Sequence, residues 1–515
     1  METEALVQAL RDPRAYPHPT GEVGFLRTHI SLLFFAGERV YKVKQPVQLG
    51  FLDYGTLERR RHFCDEEVRL GRRLAPDVYL GVVPIAARPG GELRVGGEGE
   101  PLEWAVAMKR LPEDRMLNRL LERGEIDNEP IHALVELLAD FHRRAATGEG
   151  VDEHGTHAAQ SANAEENIEA LQSMEGPPLA PAALLEFLAG RSREFLEEHR
   201  ELFARRVREG RIREGHGDLH AGNVCFLESG PVAYDCIEFN RRFRCGDVAR
   251  ELAFLAMDLD LRGFAGFGGY LVHRYAERTG DPELQELQRH YKGYFAMVRA
   301  KVAAIGAAGD GVPEERRAEL RREAKRYLLL AAGYELPPAC ILTCGPPASG
   351  KSWLVEQLAP LLRAAVLHSD VRRKLLAGVP VGRHPTEAFG EGLYSPAMKE
   401  RTYDSLLARS LEELRAGRTV LVDATFSQAT YRAPFVEAMA REGFPLFLCR
   451  VSATEEQARA RLQEHADDET VRRLRAAFEP PDELPAGARL DVASGQGDPE
   501  DAGLALAERW MGQKL

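Results

Sequence analysis

The stretch GPPASGKS, Gly345 to Ser352, fits G-x-x-x-x-G-K-[ST] and restricts the possible fold more than any other part of the chain. A loop of this composition turns its backbone N–H groups inward, and it does so between a strand and the N-terminus of a helix. Both flanks are present: the apolar run ACILTC precedes it and the amphipathic SWLVEQLAPLL follows. The alternation continues with AAVLHSD, TVLVDATF and PLFLCRV as strand-like runs separated by helical stretches. Strand and helix in strict alternation predict a parallel sheet flanked by helices over residues 336–515. In such a loop Gly345, Ser349 and Gly350 bring the backbone close to a polyphosphate, Lys351 reaches its outer phosphates and Ser352 meets Mg²⁺.

At 515 residues the chain is too long for that domain alone. Residues 20–111 contain short β-like runs, VGFLRTHISLLFF, RVYKVK, VYLGVVPIAA and EWAVAMKRL, parted by glycine-rich turns and one helical stretch from Leu57 to Leu74. Residues 112–332 read as helical, with a non-helical island, REGHGDLHAGNVCFLESGPVAYDCIEF, in the middle. The prolines of YELPPAC mark a linker. The expected division is a β-rich part at 1–111, a helical part at 112–335 and the parallel-sheet domain at 336–515.

The island carries chemistry. HGDLHAGNV holds His216, Asp218 and Asn223, and VAYDCIEF places Asp235 at the end of a strand-like run. Phosphoryl transfer needs one carboxylate to accept the proton of an incoming hydroxyl. It also needs an amide oxygen and a second carboxylate to hold Mg²⁺ against the phosphates of ATP. Asp218, Asn223 and Asp235 meet those needs in that order. His216 is expected to brace the loop and His220 to face solvent or fix the turn.

The loop H-x-D-x-x-x-x-N resembles that of the aminoglycoside phosphotransferase-like branch of the protein-kinase fold. The resemblance extends over the first three-fifths of the chain. It implies an α+β two-lobe kinase-like domain, with a small β-rich lobe and a large helical lobe, followed by the α/β P-loop domain. It also implies a strand lysine for the phosphates, Lys42, and a helix carboxylate to hold it, Glu67. Lys44 shares the strand face of Lys42, and Glu66 adjoins Glu67, so both alternatives stand. VAMKRL fits the connection between lobes where adenine binds through the backbone. No G-x-G-x-x-G occurs in the small lobe, and GFLRTHIS is the segment left to cover the phosphates. Asp247, in RCGDVARELAFLAMDL, is expected to be structural.

The second domain resembles P-loop kinases of the polynucleotide-kinase and zeta-toxin type. VLHSDVRRKLLAG supplies Asp370 to activate an acceptor hydroxyl and Arg373 to hold a phosphate or the acceptor. Asp423 closes a strand in a Walker-B-like position near Mg²⁺. The helix in CRVSATEEQARARLQEH offers Arg461, or alternatively Arg459, as a lid arginine. The chain as a whole resembles bacterial fusions of an aminoglycoside phosphotransferase-like domain with a P-loop ATP-binding domain.

Composition narrows the functions further. The net charge of −12 argues against a grip on long nucleic acid, which needs a broad basic face. Seven cysteines without a C-x-x-C pair are read as buried thiols of a reducing, cytoplasmic compartment. No apolar run reaches the ~20 residues of a membrane helix. Three functions remain: an ATP- and Mg²⁺-dependent bifunctional kinase of small-molecule acceptors such as sugars, aminosugars or nucleoside-like compounds; a P-loop kinase of nucleic-acid 5′ ends with the front domain positioning substrate; and a non-catalytic ATP-sensing pair. Neither the acceptors nor the oligomeric state can be read from the sequence.

Overall fold

The computed structural model describes residues 2–50, 52–88, 90–309, 311–382, 392–462, 478–495 and 497–513. Contacts gather the chain into two units that interleave along the sequence. The first comprises Met1–Ser161, Glu198–Leu259 and Phe264–Tyr291, and the second Ala162–Glu197, Asp260–Gly263 and Lys292–Leu515.

The first unit opens with α1 (Thr3–Leu10) and an antiparallel six-stranded sheet. Its strands are β1 (Gly24–Arg27), β2 (Ser31–Ala36), β3 (Arg39–Lys44), β6 (Tyr79–Ala87), β7 (Leu93–Val95) and β8 (Pro101–Lys109), in the order β1-β2-β3-β8-β6-β7. A small hairpin, β4 (Gln48–Leu49) and β5 (Leu52–Asp53), lies between β3 and α2 (Leu57–Gly71). The turn between β2 and β3 has only Gly37 and Glu38 outside the ladder, and Gly37 takes φ 60°, the conformation that tight hairpins require. Pleating then decides the faces. Tyr41 and Val43 join the apolar core with Leu32, Phe34 and Ala105, so Lys42 and Lys44 share the opposite face.

Helix α2 starts at Thr56, whose side chain accepts the Arg59 N–H, and it buries Cys64, Glu67 and Val68. Its last residue must be small. A Cβ on Gly71 would lie 2.2 Å from the Tyr79 ring.

Downstream the chain is mainly helical: α3 (Leu117–Glu122), α4 (Asn128–Arg144), α5 (His157–Gln172), α6 (Ala182–Glu198), α7 (Arg200–Arg208), α8 (Arg241–Arg244), α9 (Val248–Leu261), α10 (Ala265–Thr279), α11 (Leu284–Ala308) and α12 (Glu314–Glu335). The expected island survives as two short antiparallel pairs. β9 (Ile212–Glu214) pairs with β12 (Cys245–Asp247), and β10 (Val224–Leu227) with β11 (Gly230–Ala233).

Asp247 has the structural part expected of it. Its carboxylate accepts from Arg206 Nε at 2.5 Å and Nη2 at 2.8 Å, and from the Ala249 N–H at 2.8 Å. Arg206 also donates to both oxygens of Asp281, at 2.8 and 2.9 Å. All three side chains are buried.

The second unit is built on a five-stranded parallel sheet. Its strands are β13 (Cys340–Cys344), β14 (Ala365–His368), β15 (Val420–Asp423), β16 (Leu446–Ser452) and β17 (Arg489–Ala493), in the order β14-β15-β13-β16-β17. The helices after α12 are α13 (Lys351–Leu361), α14 (Ser369–Leu376), α15 (Pro396–Arg415), α16 (Ala429–Glu442), α17 (Glu455–Leu462) and α18 (Pro499–Gly512). The neighbours of β13 are β15 and β16, so the chain departs from β13 in both directions across the sheet. A parallel sheet binds ligands outside the C-terminal ends of its strands at such a switch.

α12 packs on α13 and α18 in this unit. A Cβ on Gly333 would lie 2.3 Å from the Leu361 carbonyl oxygen. Arg322, Lys325 and Arg326 pair with Asp498, Asp501 and Glu500 at 2.9, 2.5 and 3.2 Å. The seven cysteines are free and buried. Among the described residues no helix is long and apolar enough to cross a membrane.

Removing Arg206 leaves the buried Asp247 without its counter-charge and Asp281 with only the more distant Arg211, at 3.7 Å. Arg206→Met is therefore expected to cost the first unit about 3–5 kcal/mol at pH 7. The measurement is urea unfolding followed by Trp104, in a background with Trp353 and Trp510 changed to Phe.

Candidate active sites

In the first unit β3 delivers Lys42 and Lys44 to one glutamate. Lys42 Nζ lies 2.9 Å from Glu67 Oε1, and Lys44 Nζ lies 2.7 Å from Glu67 Oε2. Glu66 turns away and pairs with Arg69 at 2.9 Å. Beyond Glu67 the two lysines diverge. Lys42 donates to Asp235 Oδ1 at 2.5 Å, whereas Lys44 donates to Glu238, which also accepts from the Tyr54 hydroxyl. Burial works against the ionised carboxyls of Asp235 and Glu238. The lysines outweigh it, and both carboxyls are held below the usual carboxylate range.

Asp235 follows β11 with φ 66°, an uncommon left-handed conformation for a residue with a side chain. Its N–H donates to the Tyr79 hydroxyl at 2.8 Å, which keeps that turn in place. Gly71, Tyr79 and Asp235 thus form one stack from helix to site.

The loop between β9 and β10 presents Asp218 and Asn223. Asn223 is buried, and its Nδ2 donates to the Asp218 carbonyl oxygen at 3.0 Å. Its Oδ1 is the amide atom left to meet a cation. His216 braces the loop at two ends: its Nδ1 accepts the Asp218 N–H at 3.2 Å, and its Nε2 bonds the Tyr234 carbonyl at 2.8 Å. His220 fixes the turn through its Nδ1, which accepts the Gly222 N–H at 3.1 Å.

Sequence reasoning missed the groups behind this loop. Glu251 of α9 accepts the His216 N–H at 2.6 Å and meets His142 Nε2 at 3.0 Å. Gly215 lies so close that a Cβ there would be 2.0 Å from Glu251 Oε2. Asp258, two turns further along α9, accepts the Ala221 N–H at 2.9 Å. No spacing in the sequence marks Glu238, Glu251 or Asp258, because each acts through a contact distant along the chain.

In the second unit the glycine-rich loop joins β13 to α13. Gly345 takes φ 144° and Gly350 φ 97°. A Cβ on Gly345 would lie 2.2 Å from the Val451 carbonyl oxygen, and one on Gly350 would lie 2.5 Å from Ser494 Oγ. Lys351 Nζ donates to the Pro346 carbonyl at 2.8 Å and lies 3.4 Å from the buried Ser349 hydroxyl. Burial pulls the Lys351 ammonium down to about 8, against an opposing pull from Asp423. Ser352 Oγ donates to Asp423 Oδ2 at 2.7 Å, and His368, which the sequence did not single out, meets the same oxygen at 3.0 Å.

Asp370 lies in the first turn of α14 and pairs with Arg373 at 3.4 Å and Lys374 at 2.8 Å. Arg461 donates to the Ala348 carbonyl at 3.1 Å, which brings α17 to the phosphate loop. Arg459 lies on the same helix, Glu455–Leu462.

Both sites suit a hard divalent cation. Asp235 with Asn223 Oδ1, and Ser352 with Asp423, are oxygen sets of the kind Mg²⁺ takes while keeping most of its waters.

A two-lobe kinase domain with a Lys–Glu–Asp set, joined to a parallel-sheet domain with a phosphate loop, defines a phosphotransferase-type protein. Comparison with known proteins agrees. Residues 57–290 match the model described as the phosphotransferase enzyme family, and residues 340–481 match one described as an AAA domain. An uncharacterized protein of Mycobacterium tuberculosis is 32% identical over 424 residues, 81% of this chain and 81% of that protein. A choline/ethanolamine kinase family protein from Mesorhizobium loti aligns at 16% identity and a TM-score of 0.39, covering 63% of this chain and 94% of its own. A gluconokinase from Sinorhizobium meliloti aligns at 19% identity and a TM-score of 0.26, covering 35% of this chain and 98% of its own. The chain belongs to the family of bacterial proteins that join an aminoglycoside phosphotransferase-like kinase domain to a P-loop ATP-binding domain.

The Glu251 brace has a signature in acid. Burial pushes its carboxyl up, but the bonds from His142 and His216 prevail and hold it at about 2, below its ordinary 4.5. A depressed folded-state value gives stability that is present above the unfolded value near 4.5 and lost as pH falls towards 2. That contribution is roughly 3 kcal/mol at pH 7. Glu251→Gln is expected to lower stability at pH 7 and to lose less than the parent between pH 5 and pH 3, read from Trp104 in urea. Equal acid sensitivity in both proteins would remove Glu251 from the set of stabilising carboxylates.

Proposed function

We propose that the chain is a bifunctional ATP-dependent kinase, with each domain moving the γ-phosphoryl group of ATP to a hydroxyl of a small-molecule acceptor. The observation that carries the front half is the convergence of Lys42, Glu67 and Asp235, with Asp218 and Asn223 on one braced loop.

Asp218 takes the proton of the acceptor hydroxyl. The acceptor oxygen bonds to the γ-phosphorus while the bond from that phosphorus to the β–γ bridging oxygen breaks, and ADP leaves with the electron pair. Lys42, held by Glu67, faces the phosphates. Mg²⁺, when bound by Asn223 and Asp235, supplies positive charge to them. In the rear half the loop amides and Lys351 hold the nucleotide. Ser352 and Asp423 are the Mg²⁺ side, and Asp370 with Arg373 faces the acceptor. Arg461 lies by the phosphate loop as a candidate for the developing charge. Both halves work by positioning and charge neutralisation rather than covalent catalysis.

The acidic balance of the chain supports small acceptors over long nucleic acid. The experiment is a radiolabelled-ATP screen over metabolites and 5′-hydroxyl oligonucleotides, run on the full chain and on variants that disable one site. Label on the oligonucleotide alone overturns the small-acceptor reading.

The front roles separate by mutation. Asp218→Asn is expected to lower turnover on a front-site acceptor on the order of 10²–10⁴-fold, the worth of a general base, with Mg·ATP affinity changed little. Asp235→Asn is expected to weaken Mg·ATP binding itself. Unchanged turnover in Asp218→Asn would dismiss it as the base.

The two ATP sites are expected to be independent, because Lys42 lies on strand β3 of the first unit and Lys351 at the start of α13 in the second. Isothermal titration should find two ATP equivalents per chain. Lys351→Ala should lose the rear equivalent alone and Lys42→Ala the front one alone. Loss of both equivalents from either change means a composite or coupled site.

A further inference from the structure

His368 is a side chain of the rear site to which the reaction above gives no duty. β14 and β15 are neighbouring parallel strands, and their ladder sets His368 opposite Asp423. Both residues close their strands at the C-terminal edge of the sheet. Partners in a ladder point to the same face, and His368 Nδ1 lies 3.0 Å from Asp423 Oδ2. A carboxylate only accepts, so Nδ1 carries the hydrogen. His368 is also the N-cap residue of α14, yet its side chain makes no capping bond there, and imidazole is not among the groups that cap helices well. The side chain is 38% exposed, so little packing rests on it. Neither the start of α14 nor the core accounts for where the imidazole is placed, and the bond to Asp423 does.

Asp423 Oδ2 takes a second donor from another element, the Ser352 hydroxyl of α13, at 2.7 Å. Among the described residues nothing donates to Oδ1. A serine hydroxyl has one hydrogen and two lone pairs. Ser352 can therefore give its hydrogen to Asp423 and a lone pair to a cation at the same time. One such bond leaves a carboxyl group free to turn about its own axis. Two bonds from different elements stop that rotation and leave Oδ1 on offer. The orientation matters for a small hard ion, because Mg²⁺ demands a near-ideal octahedron. Carboxylates that take metals are themselves held by hydrogen bonds for this reason.

We propose that His368 is a positioning residue of the rear site, whose Nδ1–H fixes the Asp423 carboxylate in the orientation that nucleotide-borne Mg²⁺ requires. This rests on the reading of the rear site as a Mg·ATP site. In this role His368 touches neither nucleotide nor cation and acts through Asp423 alone.

The test asks how much Mg²⁺ strengthens nucleotide binding in the full chain. The non-hydrolysable analogue AMP-PNP is titrated by calorimetry in Mg²⁺ and again in EDTA, and the rear equivalent is the one that Lys351→Ala removes. In the parent, Mg²⁺ should tighten the rear equivalent. His368→Leu keeps an apolar side chain in place and removes the donor. It should reduce the gain from Mg²⁺ about tenfold or more, the usual worth of a group that orients a metal ligand, and leave the affinity in EDTA unchanged. His368→Asn, whose side-chain amide offers a donor close to the place of Nδ1, should recover most of the gain. The front equivalent should keep its Mg²⁺ dependence in both variants.

An equal gain from Mg²⁺ in His368→Leu and in the parent overturns the proposal. So does an equal loss of affinity in Mg²⁺ and in EDTA, which is what a merely structural role predicts. Failure of His368→Asn to recover the gain overturns it too. The underlying reading fails separately. If Lys351→Ala removes no equivalent, or the parent's rear equivalent gains nothing from Mg²⁺, the rear site is not a Mg·ATP site and the proposal falls with it.

Discussion

The front site depends on one buried charge imbalance. Lys42 and Lys44 stand one pleat apart on β3 and share Glu67, and beyond it each takes a further carboxylate, Asp235 or Glu238. Two ammonium groups face three carboxylates, so the set carries one negative charge in excess. Charges withdrawn from water must be paired, and breaking such a pair costs more than making it returns. Lys44, Glu67 and Glu238 are buried, and Glu67 is shared between the two lysines. Asp235 is the member of the set open to solvent, its side chain 44% exposed against 1% for Glu67. The ion network thus holds Lys42 and leaves one carboxylate within reach of a cation.

The rear site meets the same need with backbone. Gly345 and Gly350 are glycines because neighbouring carbonyl and hydroxyl groups occupy the space of a Cβ. The loop's N–H groups carry partial positive charge without burying an ion, and Lys351 is the full charge at its centre. Among the described residues its ammonium has no carboxylate at salt-bridge distance, and it leans on the Pro346 carbonyl. Burial lowers its proton affinity accordingly. Lys42 is held by carboxylates from two distant segments, Glu67 of α2 and Asp235 after β11, whereas Lys351 is held by the loop that precedes it.

That contrast explains what could be read in advance. The glycine-rich loop is a local object, so its spacing alone singled out Gly345, Ser349, Gly350, Lys351 and Ser352 as candidates. Strand period put Lys42 and Lys44 on one face, and both were kept as candidates. The structure brings both to Glu67 and distinguishes them by their second partners. Asp247 was legible as structural, but its Asp–Arg–Asp arrangement with Arg206 and Asp281 was not. Glu238 lies three residues beyond Asp235 and acts on Lys44, 194 residues away. Glu251 reaches His216 across 35 residues, from a helix whose apolar pattern gives no reason to single out one acidic position. Such contacts are set by how elements pack, and packing leaves no fixed interval in the sequence.

The carboxylates at the two sites are not the side chains that brace their loops. Glu251 and Asp258 hold the loop by its backbone N–H groups and leave the Asp218 carboxylate partly exposed. Tyr79 holds the Asp235 backbone and leaves the carboxylate to Lys42. Tyr403 holds the loop after Asp423 through the Phe426 N–H, and Asp423 itself meets Ser352. In each case a buried group saturates a backbone amide and the acting carboxylate is spared. A carboxylate that also held its own loop would have its lone pairs engaged and could not take a proton or a metal without loosening that loop. Separating the two duties lets the loop stay rigid while its charge partner changes, as a preorganised site requires.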